Sequence, residues 1–312
     1  MLLIWYAVPG FVQPETGEGT MRTTPHHLLY STMCEHGIAK IATPGVSPTL
    51  LLRGRAAFLE LCTTVPHDVL TQTCHEITYG TSPVKDSTPD GYTYKVGAYK
   101  LNADTETREW HDAKVYMHVT TAWAHLPIVQ ELADDHPALR DFLEVALEIR
   151  SALEAEALQL LRALSYHHSD FWSTFVDING TIPRLVIRFV GYEKRPPDGD
   201  SPVMSAAAHY DKSGITMTGD ESGPGLQMHL TDGSVANLEG AGGYSHVFPG
   251  LFAERITSKM PRVLRATRHG VLQMPDASVS ERFSRYSTIA FVDPALPYAT
   301  YASYAETHAV TA

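Results

Sequence analysis

The sequence predicts an α+β protein in which β-structure dominates, with a double-stranded β-helix (jelly-roll) core and flanking helices. Two patterns support this fold class. Beyond Pro183, short apolar segments are separated by clusters of Gly, Pro, Asp and Ser, which is typical of a barrel of short strands. Ahead of these segments, one long amphipathic stretch predicts a helix that packs against the barrel.

No linker divides the chain, so we expect a single domain over residues 1–312. We distinguish four regions within it. They are an N-terminal cap region of helices and strands over 1–135, a supporting helix over 136–165, the jelly-roll core over 183–295 and a C-terminal tail over 296–312.

The N-terminal region predicts short elements. Residues 25–36 and 49–62 are expected to form helices on either side of a strand near 38–43, and residues 76–122 to form strands and turns. The apolar start Met1–Gly10 has neither a positively charged n-region nor a small-residue cleavage site. We therefore expect an edge strand there rather than a signal peptide.

The clearest helix is the one over 136–165. Its apolar residues recur at three- and four-residue steps, and Pro137 suits a first helical turn. The apolar positions are Leu139, Phe142, Leu143, Ala146, Ile149, Leu153, Ala157, Leu160 and Leu164. This spacing indicates one buried face.

Composition narrows the class of protein. The formal net charge is -11, and no basic patch balances it, so a nucleic-acid partner is not expected. Three cysteines are too few for a disulfide framework and indicate a reducing, cytoplasmic setting. No apolar run is long enough to span a membrane, and no obligate protein partner is evident. We expect an enzyme whose partner is a small molecule.

The most informative motif is His209-Tyr-Asp211, followed far along the chain by His269. Side chains two residues apart in a strand point the same way, so His209 and Asp211 can reach one ion together. His269 would join them from another strand. Two imidazoles and one carboxylate on one face of Fe(II) leave three positions open. These residues are the predicted metal ligands and catalytic centre.

Arg285-Tyr-Ser287 follows His269. On a strand, this spacing puts a guanidinium and a hydroxyl on one face, where they can hold a carboxylate.

Several segments of the sequence are similar to segments of one known protein family. They are Leu185-Val-Ile-Arg-Phe-Val-Gly-Tyr192, Ala208-His-Tyr-Asp-Lys-Ser-Gly-Ile-Thr216, Gly225-Leu-Gln-Met228, Phe248-Pro-Gly-Leu-Phe-Ala-Glu-Arg-Ile-Thr257, Arg265-Ala-Thr-Arg-His-Gly-Val271 and Ser284-Arg-Tyr-Ser-Thr-Ile-Ala-Phe291. From Arg188 onward the chain resembles the Fe(II)/2-oxoglutarate-dependent oxygenases of the isopenicillin N synthase-like group. Cys34-Glu-His-Gly-Ile-Ala-Lys-Ile41 and Glu109–His118 are similar to N-terminal segments of that family.

The resemblance implies roles for these residues. Arg285 and Ser287 would bind the distal carboxylate of the cosubstrate 2-oxoglutarate, and Tyr192 would hydrogen-bond it; Val190 stands where the family often has asparagine. The cosubstrate would take two iron positions and dioxygen the third. The product expected is a hydroxylated or desaturated small molecule, in keeping with specialised metabolism. Because Asp211 keeps the carboxylate, halogenation is disfavoured.

By position in the family, the substrate pocket draws on Tyr116 and His118, which alternate on one strand face, and on Tyr99 or Lys100. Arg188 occupies a familiar family position and is either structural or functional. Four further histidines are expected to be structural or exposed, namely His167, His168, His229 and His246.

Two other functions stay open. Relatives of the isopenicillin N synthase-like and ethylene-forming kinds share the iron ligands and the Arg-x-Ser pair, yet do not use 2-oxoglutarate as cosubstrate. A barrel that binds a ligand without catalysis would have no functional metal site.

Overall fold

The computed structural model describes residues 25–66, 70, 95–96, 99–101, 108–110, 114–194, 204–240, 243–274 and 277–295. The edge strand predicted at Met1–Gly10 and the C-terminal tail predicted over 296–312 lie outside the described residues.

The described helices together contain more residues than the strands, contrary to the predicted dominance of β-structure, but the described strands are more numerous. They are β1 (Ala39–Ala42), β2 (Lys95–Val96), β3 (Tyr99–Leu101), β4 (Arg108–Trp110), β5 (Lys114–Val119), β6 (Leu185–Glu193), β7 (Met204–His209), β8 (Ile215–Glu221), β9 (Leu226–His229), β10 (Val235–Leu238), β11 (Tyr244–Pro249), β12 (His269–Leu272) and β13 (Phe283–Val292).

The helices are concentrated in the first half of the described chain. They are α1 (Pro25–His36), α2 (Pro48–Thr64), α3 (Thr121–Ala124), α4 (Pro127–Asp135), α5 (Pro137–Ser165), α6 (Asp170–Phe175) and α7 (Leu251–Thr257). Proline begins α2, α4 and α5, where its missing N–H costs nothing because the first helical turn has no partner for it. The helices predicted over 25–36, 49–62 and 136–165 are confirmed. None of the helices in the described ranges is long and apolar enough to cross a bilayer.

The strands form two larger antiparallel sheets. The first has the order β1-β11-β8-β13-β6-β5-β2, and the second has the order β10-β9-β12-β7. A separate pair joins β3 to β4. At one edge of the first sheet, β1 pairs with β11, so the N-terminal region is part of the sheet.

The helices cover one face of the first sheet. All the apolar positions predicted for the buried face of α5 are buried. Phe142 of α5 lies edge-on to Phe189 of β6, with ring centroids 4.9 Å apart, and Phe58 of α2 lies 5.8 Å from Phe142 and from Tyr286 of β13. Burial of each such ring contributes roughly 1.5–3 kcal/mol to the stability of the fold, so the helices stabilise the sheet by packing on this face.

The opposite face of the first sheet meets the second sheet. Phe248 of β11 packs with Leu226 and Met228 of β9. Val190 of β6 packs with Val271 of β12 in another apolar cluster. A cavity bordered by both clusters opens between the sheets.

One irregularity in β8 decides which side chains face that cavity. Ile289 of β13 pairs with Thr218, but the next residue back, Thr288, pairs with Asp220, so Gly219 is an extra residue in β8. A β-bulge of this kind reverses the alternation beyond it. Glu221 therefore faces the cavity, while Asp220 turns to the helices and receives two hydrogen bonds from Arg55.

Candidate active site

The structure brings His209, Asp211 and His269 together. His209 is the last residue of β7 and His269 the first of β12, and the two are direct partners in the ladder. Asp211 lies just beyond the end of β7, so strand alternation alone does not orient it. It is oriented by the Thr216 hydroxyl, which donates to Asp211 Oδ2 at 2.6 Å, and by its own carbonyl, which accepts from the N–H of Leu251.

The three side chains present one donor atom each to a common point. His209 Nε2 is 3.6 Å from Asp211 Oδ1, and His269 Nε2 is 3.5 Å from Asp211 Oδ2. All three donor atoms lie within 4.8 Å of one another. Asp211 and His269 are buried, whereas the side chain of His209 is 42% exposed, which leaves the point open on one side.

Backbone carbonyls orient both imidazoles. Nδ1 of His209 lies 2.8 Å from the carbonyl oxygen of Ala207, and Nδ1 of His269 lies 3.0 Å from that of Thr267. A carbonyl can only accept, so each Nδ1 must carry a proton, and in the neutral ring each Nε2 then keeps a lone pair. This is the tautomer that a metal ligand requires.

The charges around Asp211 favour its ionised form. Burial alone would raise the pKa of Asp211, but His269, His209 and the Thr216 hydrogen bond together hold it well below its usual range. Burial lowers the pKa of His269 and so keeps that ring neutral. For His209 burial acts in the same direction, but its hydrogen bond to Asp211 prevails and the pKa is raised.

This donor set fits Fe(II). Two imidazole nitrogens and one carboxylate on one side of a point, with an open side opposite, form the facial arrangement of non-haem iron oxygenases. A structural zinc site would close the fourth position with another protein ligand. Within the described ranges, no further His, Cys, Asp or Glu joins this group.

The residues predicted to bind the cosubstrate line the same cavity. Arg285 Nη1 donates to Ser287 Oγ at 2.9 Å, and the guanidinium lies 5.5 Å from the ring centre of Tyr192. These are the three residues expected to hold a carboxylate, and the structure brings them together.

Glu221 adds a feature that the sequence analysis missed. Arg285 Nη2 donates to Glu221 Oε1 at 2.5 Å, and His246 Nδ1 lies 2.9 Å from Glu221 Oε2. The side chains of Arg285 and Glu221 are only 4% and 1% exposed. Arg285 therefore already has an internal carboxylate partner, while each terminal nitrogen keeps one N–H for a ligand. His246 is structural, as expected, because it supports Glu221.

Acidification is expected to remove the contribution of Glu221 to stability. Burial would raise the pKa of Glu221, but its hydrogen bond with His246 and the charge of Arg285 lower it below the ordinary 4.5. A group with a lowered folded pKa stabilises the native state fully above its unfolded pKa and loses that effect as pH falls through the folded value. The difference in free energy of unfolding between wild type and Glu221→Gln should therefore shrink below pH 4.5.

The matched control is Glu148→Gln, which removes a carboxylate from the exposed ion pair with Arg53. That difference should stay small at every pH, since exposed pairs contribute little. An equal difference for Glu221→Gln at pH 3 and pH 7 would contradict the assignment.

The residues predicted for substrate binding divide into two pairs. Tyr116 and His118 do not line the cavity. Both contact Arg188, and Arg188 does line it. Tyr99 and Lys100 lie in β3, which pairs only with β4 among the described strands, and their side chains lie outside the description. Phe291 is buried and also lines the cavity.

The described chain resembles solved oxygenases in its fold. The sequence matches no family model and no curated protein. A putative 2OG-Fe(II) oxygenase family protein from Caulobacter crescentus has a TM-score of 0.59 and 20% identity, covering 86% of this chain and 82% of that protein. Dioxygenase for auxin oxidation 1 from Arabidopsis thaliana, crystallised with 2-oxoglutarate, has a TM-score of 0.59 and 16% identity, covering 89% and 91%. JOX2, crystallised with 2OG, Fe and JA, has a TM-score of 0.58 and 19% identity, covering 86% and 70%.

The fold is therefore that of the Fe(II)/2-oxoglutarate-dependent oxygenases. The resemblance stated from the sequence is confirmed at the level of the fold. Membership of the isopenicillin N synthase-like group stays a prediction.

Proposed function

We propose that this protein is a non-haem Fe(II)/2-oxoglutarate-dependent oxygenase that hydroxylates or desaturates a small organic molecule. The observation that carries the proposal is the group of His209, Asp211 and His269, whose donor atoms share one open-sided point. The group faces a cavity that also contains two arginines. A ligand-binding barrel without catalysis would not require this donor geometry or the fixed tautomers.

His209, Asp211 and His269 would hold the iron, and Thr216 keeps the carboxylate in place through its short hydrogen bond. When bound, iron and 2-oxoglutarate would supply the activation of dioxygen and the oxidation of substrate. The protein contributes position and charge. Ser287 accepts its hydrogen bond from Arg285, so its own hydroxyl hydrogen is available to a carboxylate.

Finer features belong to the same proposal. We place the strands in a jelly-roll over 183–295, within one domain, with the helix over 136–165 as its support. Small-molecule chemistry is favoured by JOX2, crystallised with JA, and by the auxin dioxygenase, whose name states its small substrate. A cytoplasmic location and a role in specialised metabolism complete the proposal.

The test is an anaerobic titration of the whole chain with Fe(II) and then 2-oxoglutarate, followed by measurement of succinate after admission of air. We expect a visible charge-transfer absorption that needs both additions, and slow succinate formation that a substrate accelerates. Asp211→Ala should show neither. Failure of Fe(II) to bind to the wild type would refute the proposal.

A second function is favoured by one specific observation. Because Glu221 already neutralises Arg285, the pocket can serve an oxidase that needs iron but not 2-oxoglutarate. This alternative predicts tight Fe(II) binding without the charge-transfer absorption and without succinate, so the same titration separates the two.

A further inference from the structure

Arg188 is one of three cationic side chains of the described residues that line the cavity, with Lys114 and Arg285, and it lies over two aromatic rings. Its guanidinium carbon lies 4.8 Å from the ring centre of Tyr116 and 4.6 Å from that of Phe291. Nε donates to His118 Nε2 at 2.7 Å. Two ring contacts and one hydrogen bond restrict the motion of a side chain that is otherwise flexible.

Among the described residues, no hydrogen bond engages the terminal nitrogens of Arg188, a residue that lines the cavity. No carboxylate of the described residues forms an ion pair with Arg188, although the two buried carboxylates of the cavity are near. Asp211 faces His209 and His269, and Glu221 faces Arg285 and His246. The acidic groups are thus engaged elsewhere, and the charge of Arg188 is not neutralised by them.

Arg188 and Arg285 also lie at different levels of the barrel. Arg285 pairs with Tyr192 in the ladder, whereas Arg188 pairs with Ile289, four residues along the strand. At roughly 3.3 Å per residue this is a separation of about 13 Å along the strand. Phe291, against which Arg188 lies, pairs with Thr216, the residue that bonds Asp211. Arg188 is therefore at the level of the metal ligands, and Arg285 is deeper.

We infer that Arg188 binds a carboxylate of the substrate, and that the substrate class is small organic carboxylic acids. The inference rests on the proposed function and names its substrate. The terminal N–H groups of Arg188 donate to none of the described residues, and the guanidinium lies over two rings, so it is suited to a bidentate carboxylate. The ring of Phe291, which lines the cavity, favours an apolar group beside the carboxylate. Tyr116 and His118 then act as positioning residues.

The probe is a set of acids with their amides: phenylacetate, 3-phenylpropionate and hexanoate, each beside its uncharged amide. Binding to the purified whole chain is measured by ligand-observed NMR and calorimetry, with and without Fe(II). For the wild type we expect at least one acid to bind about tenfold more tightly than its amide, as for a charge-assisted pair. Arg188→Gln should remove the preference, and Arg188→Lys should restore part of it.

Arg282→Gln is the matched control. Arg282 also lies over a ring, that of Phe283, and its guanidinium pairs with Glu193 away from the cavity. This variant should keep the full preference for acids. Equal binding of acids and amides to the wild type in every pair, or an unchanged preference in Arg188→Gln, would overturn the inference.

A further experiment tests whether the carboxylate bound by Arg188 belongs to the substrate or to 2-oxoglutarate. Anaerobic affinity for 2-oxoglutarate should change less than about threefold in Arg188→Gln, since the distal carboxylate binds at Arg285. A loss of 2-oxoglutarate binding in Arg188→Gln would overturn the assignment to substrate. If Fe(II) fails to bind while the preference for acids persists, the proposed function fails and the carboxylate site stands.

Discussion

Replacing Asp211 with alanine is expected to abolish metal binding while the protein remains folded. Asp211 is the only carboxylate among the three described donors, and its two oxygens face the two histidines. Loss of residues that merely support metal ligands lowers affinity by roughly 10–100-fold, so loss of a ligand should exceed about 100-fold. The measurement is an anaerobic Fe(II) titration beside a thermal unfolding curve.

The control for this experiment is His229→Ala. His229 ends β9, the strand beside β12, but does not belong to the donor group. It should retain wild-type affinity for Fe(II). Wild-type affinity in Asp211→Ala would contradict the ligand assignment, and a cooperative unfolding transition lost at room temperature would show that Asp211 is structural instead.

Replacing Arg285 with alanine is expected to damage both stability and cosubstrate binding. The variant leaves Glu221 buried with His246 as its remaining ionic partner. Removing one member of a buried ion pair typically costs about 3–5 kcal/mol, because the other charge is left uncompensated. We therefore expect a loss of this order in the free energy of unfolding measured with urea.

The double variant Arg285→Met, Glu221→Gln separates the two effects. With both charges removed, most of the lost stability should return, as it does when buried ion pairs are replaced by neutral groups of similar volume. Binding of 2-oxoglutarate should not return, because its carboxylate still lacks the guanidinium. Recovery of 2-oxoglutarate binding in the double variant would refute the role of Arg285.

The main secondary-structure elements can be predicted from the local spacing of apolar residues in the sequence. The apolar residues of 136–165 keep one face over the whole stretch and so predict a helix, and the structure has α5 at Pro137–Ser165. The group of His209, Asp211 and His269 can be predicted because the residue types and their order restrict the chemistry. The helix signal lies in one stretch, whereas the metal group is recognised from residue types and their order, with His269 far from His209 along the chain.

Features that depend on pairing between distant strands could not be predicted. Strict alternation from Thr216 and Thr218 would turn Asp220 toward the cavity, yet the bulge at Gly219 turns Glu221 inward instead. A glycine in a strand is a signal for a bulge, but its register is fixed only by the partner strand. For this reason the internal partner of Arg285, Glu221, could not be predicted from the sequence.

The contacts of Arg188 have a similar cause. Alternation correctly puts Tyr116 and His118 on one face of β5, and their side chains do share that face. Their contact with Arg188 follows from the pairing of β5 with β6, in which His118 lies opposite Arg188. Without the register of β5 on β6, the sequence predicts that Tyr116 and His118 share a strand face, but it does not predict their contact with Arg188.

The place of β1 at the margin of the first sheet limits how far the chain can be shortened. The residues of β1 cover the main-chain amides and carbonyls of β11 that do not face β8. A protein beginning after residue 42 would offer those groups to any extended peptide in solution, including the same strand of a second molecule. Such a truncation should therefore self-associate even though every metal ligand is retained.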